Sequence, residues 1–433
     1  MRFGTAKEII TPIKPVRVAC CGPFDENYIA IHDDVFVRCL VIDDGKNKAV
    51  FLAYDLLFHD HGLNDRIATY ANEKYGIEKS AVVASYSHAH TAPAVRGYCP
   101  GAHDEEYEEF LVERSKNALD RALSIMYEGE LEYGVFDADF NISRRGIRKG
   151  ARACVPDPDY ECDKEFFVMF IRDMKGDIRA VMTNYACHPV NYPAQQTISG
   201  EFPGRMCQYL EMKYYGAVGL FFQSSGADVR PKATVIEDAD EENCWPWKSL
   251  TFEELDSLAK EMADSVIDFV ENGKTKKAEL SVASDEFELE LPIDVQPISV
   301  FEKMLEERKD ARFTPEKNNA EIIVNGGYNK LLDSLFLRCQ TIRISDDFYV
   351  AAMGGETCYR VKCAAREAFA DKDFCFIGYT DACAYVVDDV VTDEGGYEPN
   401  SFLEYGLKGP FKKGLNKIYT DGFKASRARI EKK

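Results

Sequence analysis

His88 and His90 stand two residues apart in Ser87-His88-Ala89-His90-Thr91, directly after the apolar run Val82-Val83-Ala84. Imidazole is both the commonest metal ligand and the side chain best suited to moving a proton near neutral pH. If the backbone stays extended through the pair, side chains at i and i+2 leave on one face, so both rings face one site. One such pair is weak evidence, but the arrangement recurs. Residues 180–185, which open on the apolar Ala180-Val181-Met182, lead into Ala186-Cys187-His188-Pro189; residues 348–353 lead into Gly354-Gly355-Glu356; residues 374–377 lead into Gly378-Tyr379-Thr380-Asp381 and then Ala384-Tyr385. Ligands of open α/β sheets bind at the carboxyl ends of strands. Two or three imidazoles with one carboxylate is a donor set that suits a catalytic zinc ion with one open position.

The elements that must position these donors can be read from periodicity. Residues 35–42 and 49–54 flank Asp43-Asp44-Gly45-Lys46-Asn47-Lys48 and predict a hairpin. A helix is expected over 63–75, leading into the His88 strand. His103-Asp104 opens another, with acids in its first turn and a core-facing stripe of Tyr107, Leu111, Ala118, Ala122 and Ile125. Residues 166–172 and 178–185 form a second predicted hairpin, which delivers His188. Pro203 suits the first position of a helix, residues 217–222 form a buried strand, and Thr251 begins an amphipathic helix running to about 272. Residues 280–293 alternate as a strand does. The charged stretch at about 295–330 reads as a peripheral insert, before strands over 337–344 and 348–353 bring in Glu356. The fold class expected is α/β, with mixed β-sheets flanked by helices, the metal site at the carboxyl ends of strands, and one catalytic domain over 1–433.

Composition narrows the partners. The 433 residues are 45% hydrophobic, ample for a large core. A net charge of −21 argues against nucleic acid, which needs a basic footprint. The first residues lack a secretory signal pattern, and no run approaches the roughly 20 apolar residues that span a bilayer. The 14 cysteines include no Cys-x-x-Cys pair; Cys20 and Cys21 are adjacent, and most read as small buried hydrophobes in a reducing compartment. A cytoplasmic protein acting on a small molecule is expected. Arg144, Arg145, Arg148, Lys149 and Arg152 form a local basic segment, either a solvated loop or a grip on an anionic or carbonyl-bearing substrate.

Taken together the motifs resemble the catalytic domain of the neutral (non-lysosomal) ceramidase family, including its short bacterial members. The matching residues are Ile10-Thr11-Pro12, Ile31-His32-Asp33, Ser87-His88-Ala89-His90-Thr91, Ala186-Cys187-His188-Pro189 and Ile198-Ser199-Gly200-Glu201-Phe202-Pro203-Gly204. Gly354-Gly355-Glu356-Thr357 follows, then the region from Tyr385 to Gly396-Tyr397-Glu398, so that the resemblance covers nearly the whole chain. It implies a zinc amidase with His88, His188, Glu356 and Tyr385 on the metal and His90 beside the bound water and substrate. It also implies a substrate-contacting arginine, at Arg144 or Arg145. Two departures bear on the substrate. Where ceramidases carry Gly-Asp-Val-Ser-Pro, this chain has Gly226-Ala227-Asp228-Val229-Arg230-Pro231, with Arg230 at the serine position. The family's C-terminal immunoglobulin-like domain also has no room after the Tyr385 region. A fixed guanidinium favours a carboxylate or another planar anion over ceramide.

The expected chemistry is metal-assisted hydrolysis of an N-acyl bond, with His90 as proton shuttle, Tyr385 or an arginine on the oxyanion, and Asp228 orienting a ligand histidine. An ester, lactone or sugar-derived substrate would use the same centre. A non-catalytic metal- or carbohydrate-binding protein would keep the donors without turnover.

Overall fold

Each apolar run becomes a strand, and its period of two decides which faces it buries. The computed structural model describes the chain except residues 20–26, 29, 96–103, 191–195, 237–244, 308–319, 328–330, 382–383 and 433, so Cys20, Cys21 and His103 lie outside the described residues. In chain order the main elements are β1 (Arg2–Ile9), β2 (Phe36–Asp43), β3 (Lys48–Tyr54), α1 (His61–Tyr75), β4 (Val82–Tyr86), α2 (Glu105–Ser124), β5 (Tyr127–Asp137) and β6 (Asn141–Ser143). Then come β7 (Glu165–Asp173), β8 (Ile178–Tyr185), α3 (Glu201–Lys213), β9 (Val218–Gln223), β10 (Val229–Pro231), α4 (Phe252–Asn272), β11 (Leu280–Pro292) and α5 (Ile298–Glu307). The last are β12 (Ser334–Ser345), β13 (Phe348–Met353), β14 (Glu356–Thr357), α6 (Tyr359–Arg366), β15 (Asp373–Ile377), β16 (Tyr385–Val386) and α7 (Leu415–Ile430).

Two mixed sheets result. The larger has the order β9-β8-β7-β5-β1-β2-β3-β4, with Lys276–Lys277 added beside β5; the smaller has the order β11-β12-β13-β15. Both expected hairpins form, β2 with β3 and β7 with β8. The sheets face each other across one apolar layer, to which β13 gives Phe348, Val350 and Ala352, packed with Phe51, Val83, Phe167, Met182 and Phe222. The alternate residues Tyr349, Ala351 and Met353 point to the other side and meet α6 and α7 through Val361, Ala365 and Phe423. Burying one such Val or Phe contributes about 1.5–3 kcal/mol. On the far side of the large sheet, α1 and α2 cover β1 to β4 while α3 and α4 cover β7 to β9. The architecture is therefore helix–sheet–sheet–helix, an α/β fold of the expected class. Among the described residues no helix is long and apolar enough to cross a membrane.

Three local expectations are corrected or refined. Ile125 is 63% exposed instead of completing the α2 stripe, because the helix ends at Ser124 and Ile125 has left helical geometry. Pro203 is the third residue of α3, not the first; its missing N–H costs nothing anywhere in the first turn, where those donors have no intrahelical partner. Within the stretch at 295–330, α5 is amphipathic, and Phe301, Ala320 and Ile323 join Leu403 in a small apolar cluster of their own.

Candidate metal centre

The donors meet because the carboxyl ends of two sheets are stitched together by the main chain. In the large sheet β3 and β4 run parallel, as do β8 and β9; in the small sheet β13 and β15 run parallel. Just past these ends the Tyr86 N–H donates to Tyr379 O (3.1 Å), Gly378 N–H to Gln223 O (2.9 Å), Tyr379 N–H to Gly355 O (3.2 Å) and Ser85 Oγ to Gly378 O (2.9 Å). Gly378 permits this approach, since a Cβ there would fall 2.8 Å from Ser224 O and from Thr357 Oγ1. The loops carrying His88, His188 and Glu356 thus leave the two sheets at one place.

The buried rings of His88 and His188 are edge to face, 4.5 Å between centres, and His90 stands 4.9 Å from His88. Nε2 of His90 lies 3.1 Å from Nε2 of His188. Glu356 Oε2 lies 3.2 Å from His88 Nε2 and 4.0 Å from His188 Nε2, yet this buried atom makes no hydrogen bond of acceptable geometry. Ligands about 2.0–2.2 Å from an ion sit roughly 3.3 Å apart at the corners of a tetrahedron. The spacings observed bracket that value, and the ligand atoms of all three histidines fall within 4.8 Å of one another. Nδ1 of His88 donates to Leu57 O and Nδ1 of His188 to Gly226 O, both at 3.1 Å, which leaves each Nε2 as the lone-pair nitrogen. The residues fit a divalent cation.

Charge around the centre is consistent with this. Burial, then His88 and the guanidinium groups of Arg144 and Arg230, push His90 well below the ordinary imidazole range; burial, His88 and Arg144 do the same to His188. Burial alone would raise Glu356, but His88, Tyr405 and Arg144 outweigh it and hold the carboxyl below its usual value. At neutral pH the two imidazoles are uncharged and the carboxylate ionised, the states in which these groups bind metal.

A buried polar shell fixes these groups. β14 and β16 pair in parallel with Glu356 opposite Tyr385, and the Tyr385 hydroxyl accepts from Arg144 Nη2 at 3.0 Å. Arg144 and Arg145 share Glu398, at 3.1 Å and 2.5 Å, but Arg145 turns away to Gly395 O and Glu394. Tyr405 donates to Glu356 Oε1 at 2.5 Å. Glu201, wholly buried, accepts from the backbone N–H of His90 at 3.0 Å and of Thr91 at 3.4 Å. His88, Glu201 and Tyr379 all have positive φ, at 67°, 51° and 56°. Such strain in non-glycine residues gathers where the surroundings over-determine the backbone, commonly at functional sites.

No family model matches the sequence. Among solved structures the chain is similar to neutral ceramidase from Pseudomonas aeruginosa, with a TM-score of 0.72 at 15% identity over 99% of this chain and 75% of that one. A ceramidase complexed with C2 gives a TM-score of 0.73 at 15% identity and the same coverage. The chain has the neutral ceramidase fold. The family read from the motifs is thereby borne out at the level of architecture.

On this ceramidase fold the expected donors His88, His188, Glu356 and Tyr385 lie together, and His90 lies among them. Two details differ from expectation, and one alternative is resolved. His88 is in the left-handed region and not in an extended strand, since β4 ends at Tyr86; the rings of His88 and His90 converge through a tight turn, with main-chain bonds from Ser87 N–H to Tyr54 O and His88 N–H to Leu56 O. Asp228 orients no ligand ring: both its carboxylate oxygens accept from Tyr359 N–H, and the carbonyls of Leu57 and Gly226 take the ring-orienting part. Of the two arginines left open by the sequence, Arg144 faces the centre and Arg145 braces the Gly395 turn. Tyr405 and Glu201 escaped sequence reading as site residues. Glu201 lay inside a quoted motif, whereas nothing local marks Tyr405, whose partner is 49 positions away.

Proposed function

We propose that this protein is a zinc-dependent hydrolase of amide bonds, acting on a small N-acyl compound. The observation that carries the reading is the buried Glu356 Oε2, without a well-formed hydrogen bond and directed at the Nε2 atoms of two histidines whose Nδ1 atoms are tied to carbonyls. The likeness in fold to a neutral ceramidase supports the amide as the bond cleaved.

His88, His188 and Glu356 would hold the ion, with Tyr385 beside them. When bound, zinc supplies Lewis acidity and lowers the pKa of a water from about 15.7 toward about 7. His90, uncharged and partly buried, accepts a proton at Nε2 from the attacking water and returns it to the departing amine nitrogen. Arg144, locked by Glu398 and the Tyr385 hydroxyl, presents a guanidinium to the carbonyl oxygen as negative charge develops there. One water is consumed: its OH ends on the acyl carbon and its remaining hydrogen on the amine.

The test is elemental analysis of the purified protein, followed by release of amine from N-acetyl and longer N-acyl amides before and after treatment with a chelator. About one equivalent of zinc, with turnover lost on chelation and restored by zinc, is the expected result. Turnover unaffected by complete metal removal would end the proposal. The Tyr405 contact gives a finer check. Tyr405→Phe removes the donor to Glu356 Oε1 and is expected to weaken zinc binding by about 10–100-fold, read by competition with a chromophoric chelator.

A further inference from the structure

The chain contains only two tryptophans, and both stand against one arginine. The Arg230 guanidinium lies 4.8 Å from the Trp247 ring and 5.9 Å from the Trp245 ring, and its Nη2 donates to Val190 O at 3.2 Å. Val190 is two residues past His188 and its N–H bonds back to His188 O, so the guanidinium touches the loop that delivers a donor histidine. Trp247 is itself fixed, donating from Nε1 to Cys154 O at 2.9 Å, whereas Trp245 is 57% exposed.

The backbone explains why this arginine faces the centre. β6 and β10 form a two-stranded antiparallel ribbon with Arg230 opposite Ile142 and Val229 opposite Ser143, and the ladder continues with Arg144 N–H donating to Asp228 O. Residues opposite each other in such a pair share a face, as do residues two apart along one strand. Arg144 and Arg230 therefore project from the same face as diagonal neighbours, with Cα atoms about 7–8 Å apart. Both positive charges act on His90 and on the Cys154 thiol. In a chain of net charge −21, two guanidinium groups are thus set beside the candidate centre.

We propose that Arg230, braced by Trp247 and flanked by the exposed face of Trp245, is a specificity residue that selects amides carrying a carboxylate. A planar guanidinium fork matches a planar carboxylate through two parallel N–H···O bonds. Its stacking on an indole adds a cation–π contact and holds the fork in place before the substrate arrives. The flat outer face of Trp245 offers apolar contact to the adjoining carbon chain. The proposal rests on the amide-hydrolase reading for the reaction, but binding of the acid can be read without turnover.

Because Trp245 and Trp247 are the only tryptophans, intrinsic indole fluorescence reports on the surroundings of Arg230. Zinc-loaded protein is titrated with N-acetylglycine and with succinamic acid, which carry the carboxylate on the amine and the acyl side, and with their neutral counterparts N-acetylglycinamide and succinamide. At least one acid is expected to shift the emission saturably and to bind about 10–100-fold more tightly than its neutral partner, a range set by hydrogen bonds to charged groups. Which acid responds identifies the side that Arg230 reads. The hydrolysis ratio, acid over neutral in kcat/KM, should follow the same preference, and Arg230→Gln should collapse it mainly through KM for the acid; Arg230→Lys, a point charge without a fork, should fall between. Equal binding of acids and neutral amides by the unmodified protein, or an acid preference unchanged in Arg230→Gln, overturns the proposal. If Arg230→Gln does not fold, the acid–neutral comparison on the unmodified protein decides. Saturable acid binding without hydrolysis of any amide would leave Arg230 as the carboxylate reader and refute the amidase reading instead.

Discussion

His88→Ala and His188→Ala are each expected to lose the ion, with zinc affinity falling at least about 10²-fold, whereas His90→Ala keeps zinc and loses turnover by about 10²–10⁴-fold. The first figure follows from about 10–16 kcal/mol for a four-ligand zinc site, or roughly 3 kcal/mol per ligand. The second is the usual contribution of a positioned acid–base group. The contrast comes from the anchoring: His88 and His188 direct Nε2 at Glu356 because Leu57 O and Gly226 O hold their Nδ1 atoms, and Glu201 holds His90 through its main-chain N–H. Zinc content by elemental analysis and amide hydrolysis on the same samples check both halves. Equal zinc loss in all three variants would make His90 a ligand and remove it as proton carrier.

The largest expected change in stability is at Asp55→Ala, about 3–5 kcal/mol destabilising, the cost of orphaning one member of a buried ion pair. Arg38 is only 1% exposed, and its Nη1 touches both Asp55 oxygens at 2.7 Å. Its Nε and Nη2 make no hydrogen bond, and the nearest second carboxylate, Glu211, is 3.8 Å away. Without Asp55 the cation is left nearly alone in the layer between β2 and α3. Replacing both members, Arg38→Met with Asp55→Leu, is expected to recover most of the loss, since apolar pairs of similar volume commonly match buried ion pairs. Urea midpoints at constant m-value measure both. A single-variant loss below about 1 kcal/mol would show that water reaches Arg38. Gly200 and Gly204 also pack on the Asp55 carboxylate, so the same substitution loosens the turn that presents Glu201 to His90.

The sequence revealed the donors more fully than what holds them. Four apolar runs marked where His88, His188 and Glu356 leave the sheets, because each of these donors stands just past its strand in the chain; it was the resemblance to the ceramidase family that implied these three, with Tyr385, as the metal set. Paired β-rich runs around short polar turns were equally readable, and they predicted both hairpins. What stayed hidden depends on contacts distant in sequence. Tyr405 reaches Glu356 from a short helical turn, and Leu57 O, a main-chain atom, reaches His88 across 31 positions. Asp228 was misassigned for the same reason: the motif gives the residue, but only the fold shows its carboxylate turned to Tyr359. The extended path assumed at His88 failed because two main-chain bonds to β3 and the loop after it force a turn there.

Gln223 O receiving the Gly378 N–H, and Tyr86 its counterpart in bonding Tyr379, mean that the centre belongs to neither sheet alone. During translation, therefore, the growing polypeptide cannot assemble these ligands until the strand bearing Glu356 has emerged and docked. The three histidines all precede that carboxylate in the chain and wait for it. On the proposed reading, loading with metal would report that the chain has been extended past Glu356, and a product cut short of it would carry an unfinished cage.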